Sequence, residues 1–251
     1  MSGSKTKLRH LLLLAGSGEA HDLASELAGR PDWRVSASLV LEPRVAGPLA
    51  VPTRQGGFGG DAGFAQFLAE EAVDAVLDAT HPFAARISAR THRICAEQGV
   101  PHVQLLRPAW RAGPGDDWCE VADEAAANAM ICPGQNVFTT TGRATLDGFA
   151  GFPGAQLFVR RLRDTGDAPK LKNVTYVIDQ GPFSVDHEIQ VFKDLGINVL
   201  IAKNSGGASS RTKLDAARAM GLPVILIRRS PPSGAAQVQT VAQALDWIDR
   251  L

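Results

Sequence analysis

The sequence predicts an α/β protein built from two Rossmann-like, doubly wound domains with mostly parallel sheets. Three observations carry that expectation. Apolar runs of strand length alternate with segments of helical spacing along all 251 residues, the pattern of repeated βαβ units. The first of these runs is continuously apolar, as in a parallel strand covered on both faces. Near the middle, Arg111–Asp117 holds Gly113, Pro114, Gly115 and two aspartates, a composition that suits a linker. With about four strands on either side, the boundary is set at 112/113. An N-terminal Rossmann-like domain then spans 1–112 and a C-terminal one spans 113–251.

Leu8–Ala15 holds the continuous apolar run Leu11–Ala15, which stops at Gly16-Ser17-Gly18, so it reads as a buried parallel strand followed by a turn. His21–Leu27 places Leu23, Ala24 and Leu27 on one helical face. Arg34–Leu41 reads as the second strand, Phe64–Ala72 as a helix and Val73–Ala79 as the third strand. Ala84–Gln98 reads as a long helix closed by Gly99, with Pro101 just beyond. His102–Leu106 is the fourth strand. Past the linker come a helix over Ala122–Ile131 and strands over Asn136–Thr140, Gln156–Arg160 and Val174–Ile178. A helix over Val185–Leu195 is closed by Gly196, and the strand Ile197–Ala202 comes next. The helix Thr212–Met220 is closed by Gly221. The strand Val224–Ile227 and a final helix, Val238–Leu251, complete the chain.

Composition narrows the function. Apolar residues make up 45% and charged residues 21%, which is ordinary for a globular protein. The formal net charge is zero, which argues against a general binder of nucleic acid or of an anionic membrane. The basic residues are mostly arginine, the side chain suited to fixed bidentate contacts with carboxylate or phosphate. Cys95, Cys119 and Cys132 have no tight spacing. They read as reduced thiols of a cytoplasmic protein rather than a disulfide framework or a zinc site, with Cys95 packed as core. No acid and histidine cluster has metal-ligand spacing, so no metal is expected. The apolar runs fall short of a secretory or membrane-spanning segment, so no membrane partner is expected.

In open α/β sheets ligands bind beyond the carboxyl ends of the strands, and four such loops are chemically loaded. In Gly16-Ser17-Gly18-Glu19 two glycines admit a ligand to the backbone, and the next helix offers its N–H groups to an anion. His21 stands at the third glycine of the dinucleotide fingerprint, so a tight turn without a ligand is an equal reading. Thr80-His81-Pro82-Phe83 places polar groups at a strand's mouth; the plain alternative makes Thr80 a helix cap and His81 a solvated histidine. Thr139-Thr140-Thr141-Gly142-Arg143 resembles an anion cradle, and Asp147, four residues on, has the spacing of a helical ion pair with Arg143. Lys203-Asn204-Ser205-Gly206-Gly207, continuing to Arg211 and Lys213, reads as an anion-binding loop or a flexible surface loop. Arg160-Arg161-Leu162-Arg163 is a charge run of the kind found on solvated edges. After the second strand, Glu42 suits a ribose hydroxyl and Arg44 a ribose 2′-phosphate; both readings stand.

Together these stretches resemble the precorrin-6A reductase family of cobalamin biosynthesis. The matching residues are Gly16-Ser17-Gly18-Glu19-Ala20 with Leu23-Ala24, and His81-Pro82-Phe83-Ala84 with Ile87-Ser88. Then come Gly99-Val100-Pro101, Leu106-Arg107-Pro108-Ala109-Trp110, Thr140-Thr141-Gly142-Arg143 and Lys203-Asn204-Ser205-Gly206-Gly207. They fall in the family's order across almost the whole chain. Ser17 departs from the threonine of many members and keeps the hydroxyl.

The resemblance implies a cytoplasmic oxidoreductase that reduces precorrin-6A, or its cobalt form, to precorrin-6B. NADPH gives a hydride to carbon 19 and carbon 18 gains a proton. The implied cofactor site comprises Gly16, Ser17, Gly18, Glu19, Arg44, Thr80, His81, Pro82, Thr140, Thr141, Gly142 and Arg143. The tetrapyrrole's carboxylates are expected at Lys203, Asn204, Ser205, Gly206, Gly207 and Arg211. Asp147 and then His81 are the candidate proton donors. A monomer or weak oligomer is expected, with neighbouring pathway enzymes as partners. The runner-up is a nucleotide- or sugar-phosphate-binding α/β protein without this redox activity.

Overall fold

The computed structural model describes residues 8–40 and 47–251. In chain order it first contains β1 (Arg9–Ala15), α1 (Glu19–Leu27), β2 (Trp33–Leu39), β3 (Thr53–Gln55), α2 (Gly60–Glu70), β4 (Ala75–Ala79), α3 (Ala85–Gln98) and β5 (His102–Leu105). Next come β6 (Trp118–Val121), α4 (Glu124–Asn128), β7 (Asn136–Thr139), a 3-10 helix (Arg143–Phe149), β8 (Gln156–Arg161), β9 (Val174–Ile178), α5 (Val185–Asp194), β10 (Val199–Lys203), α6 (Thr212–Met220) and β11 (Val224–Ile227). The chain closes with β12 (Ala236–Val238) and α7 (Val241–Asp249). It divides into two compact units, Met1–Arg107 with Ser230–Leu251, and Pro108–Arg229.

The first unit holds a six-stranded sheet of order β3-β2-β1-β4-β5-β12, with every pairing parallel. Leu11, Leu13 and Ala15 of β1 pack on one face with Leu23 and Leu27 of α1 and Ala244 and Ile248 of α7. Leu12 and Leu14 face the other way, onto Phe64 and Leu68 of α2 and Ile94 and Cys95 of α3. This explains why β1 reads as an unbroken leucine run. Burying each such side chain contributes about 1.5–3 kcal/mol.

The second unit repeats the plan. Its sheet runs β9-β8-β7-β10-β11-β6, again all parallel. Phe138, Leu200 and Leu226 pack on one face with Phe192 of α5 and Leu214 and Ala217 of α6. If β1 and β7 are each taken as the first strand, both sheets have the order 3-2-1-4-5-6. In the first unit the sixth place is filled from beyond the second unit's segment, whereas β6 opens that segment itself. β6 directly follows β5, and β12 directly follows β11.

The return of the chain to the first unit corrects the expected division at 112/113. Residues 230–251 do not belong with the C-terminal unit, because β12 pairs with β5 and α7 buries Ile248 in the first core. The sequence reading missed β3, β6 and β12, which have three or four residues and largely exposed or intermediate side chains. Val238, read as the start of the last helix, ends β12. The Arg160–Arg161 pair is likewise no solvated edge. Arg160 is buried, bidentate to Glu188 at 2.7 and 2.8 Å, and lies 4.2 Å from the Phe183 ring centroid.

If α7 is part of the first core, Ile248→Ala leaves a cavity there and lowers stability by about 2–5 kcal/mol. A urea titration reads this as a lower midpoint. An unchanged midpoint would contradict the placement.

Candidate functional site

The order 3-2-1-4-5-6 places a crevice where the connections part, between the first and fourth strands. In the first unit α1 follows β1 to one face of the sheet and α3 follows β4 to the other. The loops at that point are Gly16–Gly18 and Thr80–Ala84, two of the four loops marked in the sequence. The Ser17 hydroxyl donates to the Ala79 carbonyl at 2.9 Å, and the Ser17 N–H donates to it at 3.1 Å. This hydroxyl ties the two lips together. A Cβ on Gly16 would meet His81 N at 3.2 Å, whereas one on Gly18 would meet nothing within 4 Å. Gly16 is thus needed for loop packing, and Gly18 borders open space. No side chain caps α1, whose N-cap is Gly18; the Ala20 and His21 N–H groups donate to the Ser17 and Gly18 carbonyls, and the turn before them faces the end of the strand as an anion site would. By contrast α4, α5 and α7 are capped by Asp123, Ser184 and Thr240. Glu19 is ion-paired with Arg107 beyond β5.

The second lip departs from the helix-cap reading. Helix α3 starts at Ala85 and Ala84 is its N-cap without a side-chain bond. The Thr80 hydroxyl instead lies 3.4 Å from Ser88 Oγ, and Pro82 sits in the turn before the helix. His81 Nδ1 accepts the Phe83 N–H at 3.2 Å, which makes Nε2 the proton-bearing nitrogen of the neutral ring. Asp78, fully buried in β4, accepts the Thr80 N–H at 3.0 Å through Oδ1, so a carboxylate behind the loop sets the path of the Thr80–His81 segment. Burial holds His102, near Asp78 and His92, well below the ordinary histidine range, at about 4. Burial also pushes the Cys95 thiol up to about 12, as suits a core cysteine rather than a nucleophile.

In the second unit the matching crevice lies between β7 and β10. The loops there are Thr140–Arg143 and Lys203–Gly207, the other two marked in the sequence. Thr139 and Thr141 hydroxyls lie 3.0 Å apart. Lys203 Nζ donates to the Thr141 carbonyl at 3.2 Å and lies 3.0 Å from Glu124. A 3-10 helix succeeds β7, so the i to i+4 pairing expected of Arg143 and Asp147 loses its helical basis. Asp147 is exposed on that turn. Arg44 and the Arg143 side chain lie outside the described residues.

The loop after β10 is more a clasp than an open cradle. Asn204 is buried, with Oδ1 accepting the Trp110 N–H at 2.8 Å and Nδ2 donating to the Trp110 carbonyl at 3.0 Å. The Trp110 indole N–H donates to the Gly207 carbonyl at 2.8 Å. A Cβ on Gly206 would meet Pro108 O at 2.1 Å. Arg229 donates to the Asn204 and Ser205 carbonyls. Arg211 engages Asp116 at 3.4 Å and Asp215 at 3.1 Å. The Asn204 amide is therefore engaged through both its oxygen and its nitrogen, and two of the five Arg211 N–H groups face carboxylates within the protein.

The model of the precorrin-6x reductase CbiJ/CobK family matches residues 10–249. The chain belongs to this family. It is 39% identical to the precorrin-6A reductase of Rhodococcus erythropolis over 249 residues, covering 97% of this chain and 99% of that one. A cobalt-precorrin-6A reductase of Priestia megaterium is 28% identical over 248 residues, with 87% and 90% covered. A solved CobK precorrin-6A reductase superposes with a TM-score of 0.89 at 36% identity, covering 96% of each chain. Within this CbiJ/CobK fold, one loop escaped the sequence reading. Gly56-Gly57-Phe58-Gly59-Gly60 comes after β3 and leads into the uncapped α2. Its four glycines in five residues were a legible signal. Among the described residues no helix is long and apolar enough to cross a membrane.

His102 carries a pH signature. Its folded pKa is about 4 and its unfolded value is about 6.5. The unfolded chain therefore binds the extra proton between these limits. The contribution of His102 is complete above about pH 6.5 and is lost as pH falls toward 4, by up to about 1.4 kcal/mol per unit. Urea midpoints across this window fall less steeply for His102→Leu; equal slopes would contradict the burial assigned to the ring.

Proposed function

We propose that the protein reduces precorrin-6A to precorrin-6B in cobalamin biosynthesis, with NADPH as reductant. Family membership supports the reaction. The crevice between β1 and β4, with its open Gly18 and uncapped α1, supports dinucleotide binding in the first unit. Relatives named for the metal-free substrate are 35–39% identical to this chain, and those named for the cobalt form are 24–28% identical. We therefore assign the metal-free substrate. Free cysteines and the biosynthetic setting fit a cytoplasmic enzyme.

When bound, the cofactor supplies the hydride for one macrocycle carbon. The chain's own part is binding, orientation and protonation. Gly16, Ser17, Gly18 and Glu19 form one lip for the pyrophosphate, at the N-terminus of α1. Thr80, His81 and Pro82 form the other lip, held from behind by Asp78. The second crevice has no α-helix N-terminus after β7. We place its Thr140, Thr141, Gly142 and Arg143 loop with Lys203, Ser205, Gly206, Gly207 and Arg211 around the carboxylates of the tetrapyrrole. Asn204 shapes that loop through Trp110 rather than by contact with the ligand.

Hydride addition leaves electron density on the conjugated ring, and the neighbouring carbon must take a proton. Asp147 is the candidate donor, with His81 through Nε2 as the alternative. Asp147 is exposed on the 3-10 helix beside the Thr140–Arg143 loop, where a bound ligand can reach it. In a single turnover with NADPH, the wild-type chain converts precorrin-6A to a product heavier by two hydrogens. Asp147→Asn slows this step by about 10²–10⁴-fold, with separately measured binding of both ligands unchanged. An unaltered rate would remove Asp147 from the chemistry; absence of any turnover by the wild type would overturn the reaction itself.

A further inference from the structure

The glycine-rich loop after β3 covers an arginine whose charge has no acidic partner among the described residues. Arg54 of β3 stacks on Phe58, 4.2 Å from its ring centroid, with Phe67 at 5.3 Å. Its Nη1 donates to Ser38 Oγ and to the Gly56 carbonyl, each at 3.0 Å, and its Nη2 donates to the Gly57 carbonyl at 3.0 Å. All three acceptors are neutral. A guanidinium carries five N–H donors; those bonds use three, leaving Nε–H and one Nη2–H. A half-buried cation without a counter-ion is costly, and two parallel N–H groups on such a fork match a phosphate.

The place of Arg54 in the sheet says which phosphate. Ser38 of β2 is in register with Arg54, so the guanidinium stands level with the carboxyl end of β2. In a sheet of order 3-2-1-4-5-6 the dinucleotide crosses at the first strand, and the residues beyond the second strand meet the adenosine ribose at its 2′ position. Cβ atoms built on Gly57 and Gly59 meet nothing within 4 Å, so the loop beside Arg54 leaves room for a ligand.

We propose that Arg54 binds the 2′-phosphate of the adenosine ribose and so selects the phosphorylated dinucleotide. This rests on the assignment of dinucleotide binding to the first unit. It differs from the sequence expectation, which gave that role to Arg44.

The test is equilibrium titration of the full chain with four probes: NADP⁺, NAD⁺, 2′,5′-ADP and 5′-AMP. Arg54→Gln keeps a hydrogen-bonding side chain without the charge, and Arg54→Lys keeps charge without the fork. Losing a charge-assisted contact weakens NADP⁺ and 2′,5′-ADP about ten- to a hundredfold in Arg54→Gln, and less in Arg54→Lys. NAD⁺ and 5′-AMP bind as they do to the wild type. Three results would overturn the inference: equal weakening of all four probes, which marks a structural arginine; wild-type selectivity that survives Arg54→Gln; or selectivity lost only in Arg44→Gln. If the wild type binds none of the four, the dinucleotide assignment fails first. Selectivity that survives in the variant leaves that assignment standing and removes Arg54 alone.

Discussion

β1 pairs in parallel with β2 on one side and with β4 on the other, and the remaining geometry of the first unit depends on this. A parallel strand needs a crossover to reach its neighbour. The crossover from β1 runs through α1 over one face, and the one from β4 runs through α3 over the opposite face. The loops that leave these two strands therefore part toward opposite faces at the carboxyl edge of the sheet. Ser17 closes the base of that gap with its bonds to Ala79, Gly16 lets the two loops touch, and Gly18 leaves the upper side clear. A crevice with an exposed helix N-terminus results from strand order and three small residues.

The same order in the second unit yields a different site. Its crevice is crossed by Lys203, which reaches from β10 to the Thr141 carbonyl and to Glu124. A 3-10 helix stands where the first unit has α1. The loop after β10 is fixed by the exchange of hydrogen bonds between Asn204 and the Trp110 backbone. One strand order thus carries a glycine-rich lip at a helix N-terminus in the first case and a charged, hydroxyl-rich lip in the second. This contrast motivates assigning dinucleotide and polyanionic substrate to different units.

The strands of the two cores were legible because parallel, doubly covered strands read as apolar runs, as in Leu11–Leu14 and Leu200–Ala202. All four switch-point loops were legible too, since glycine and hydroxyl residues after such runs mark strand mouths. Two things were hidden. The outermost strands β3, β6 and β12 bury little and are short, so neither periodicity nor apolarity marks them. The return of β12 and α7 to the first unit is a matter of pairing, which local pattern does not encode. Side-chain roles were also ambiguous. Arg211 and Asn204 look like ligand groups in a polar loop, yet Asp116 and Asp215 pair with Arg211, and the Trp110 backbone bonds both ends of the Asn204 amide. Arg160 looked solvated and is bidentate to a buried glutamate. A charge in sequence does not state whether the fold has already neutralised it.

The central claim is that the β1/β4 crevice of the first unit holds the dinucleotide. Hydrogen–deuterium exchange of the full chain with and without NADP⁺ tests it directly, because bound amides are protected from exchange. The account predicts slowed exchange at the amides of residues 16–20 and 80–84. Slowing confined to residues 140–149 and 203–212 would contradict it.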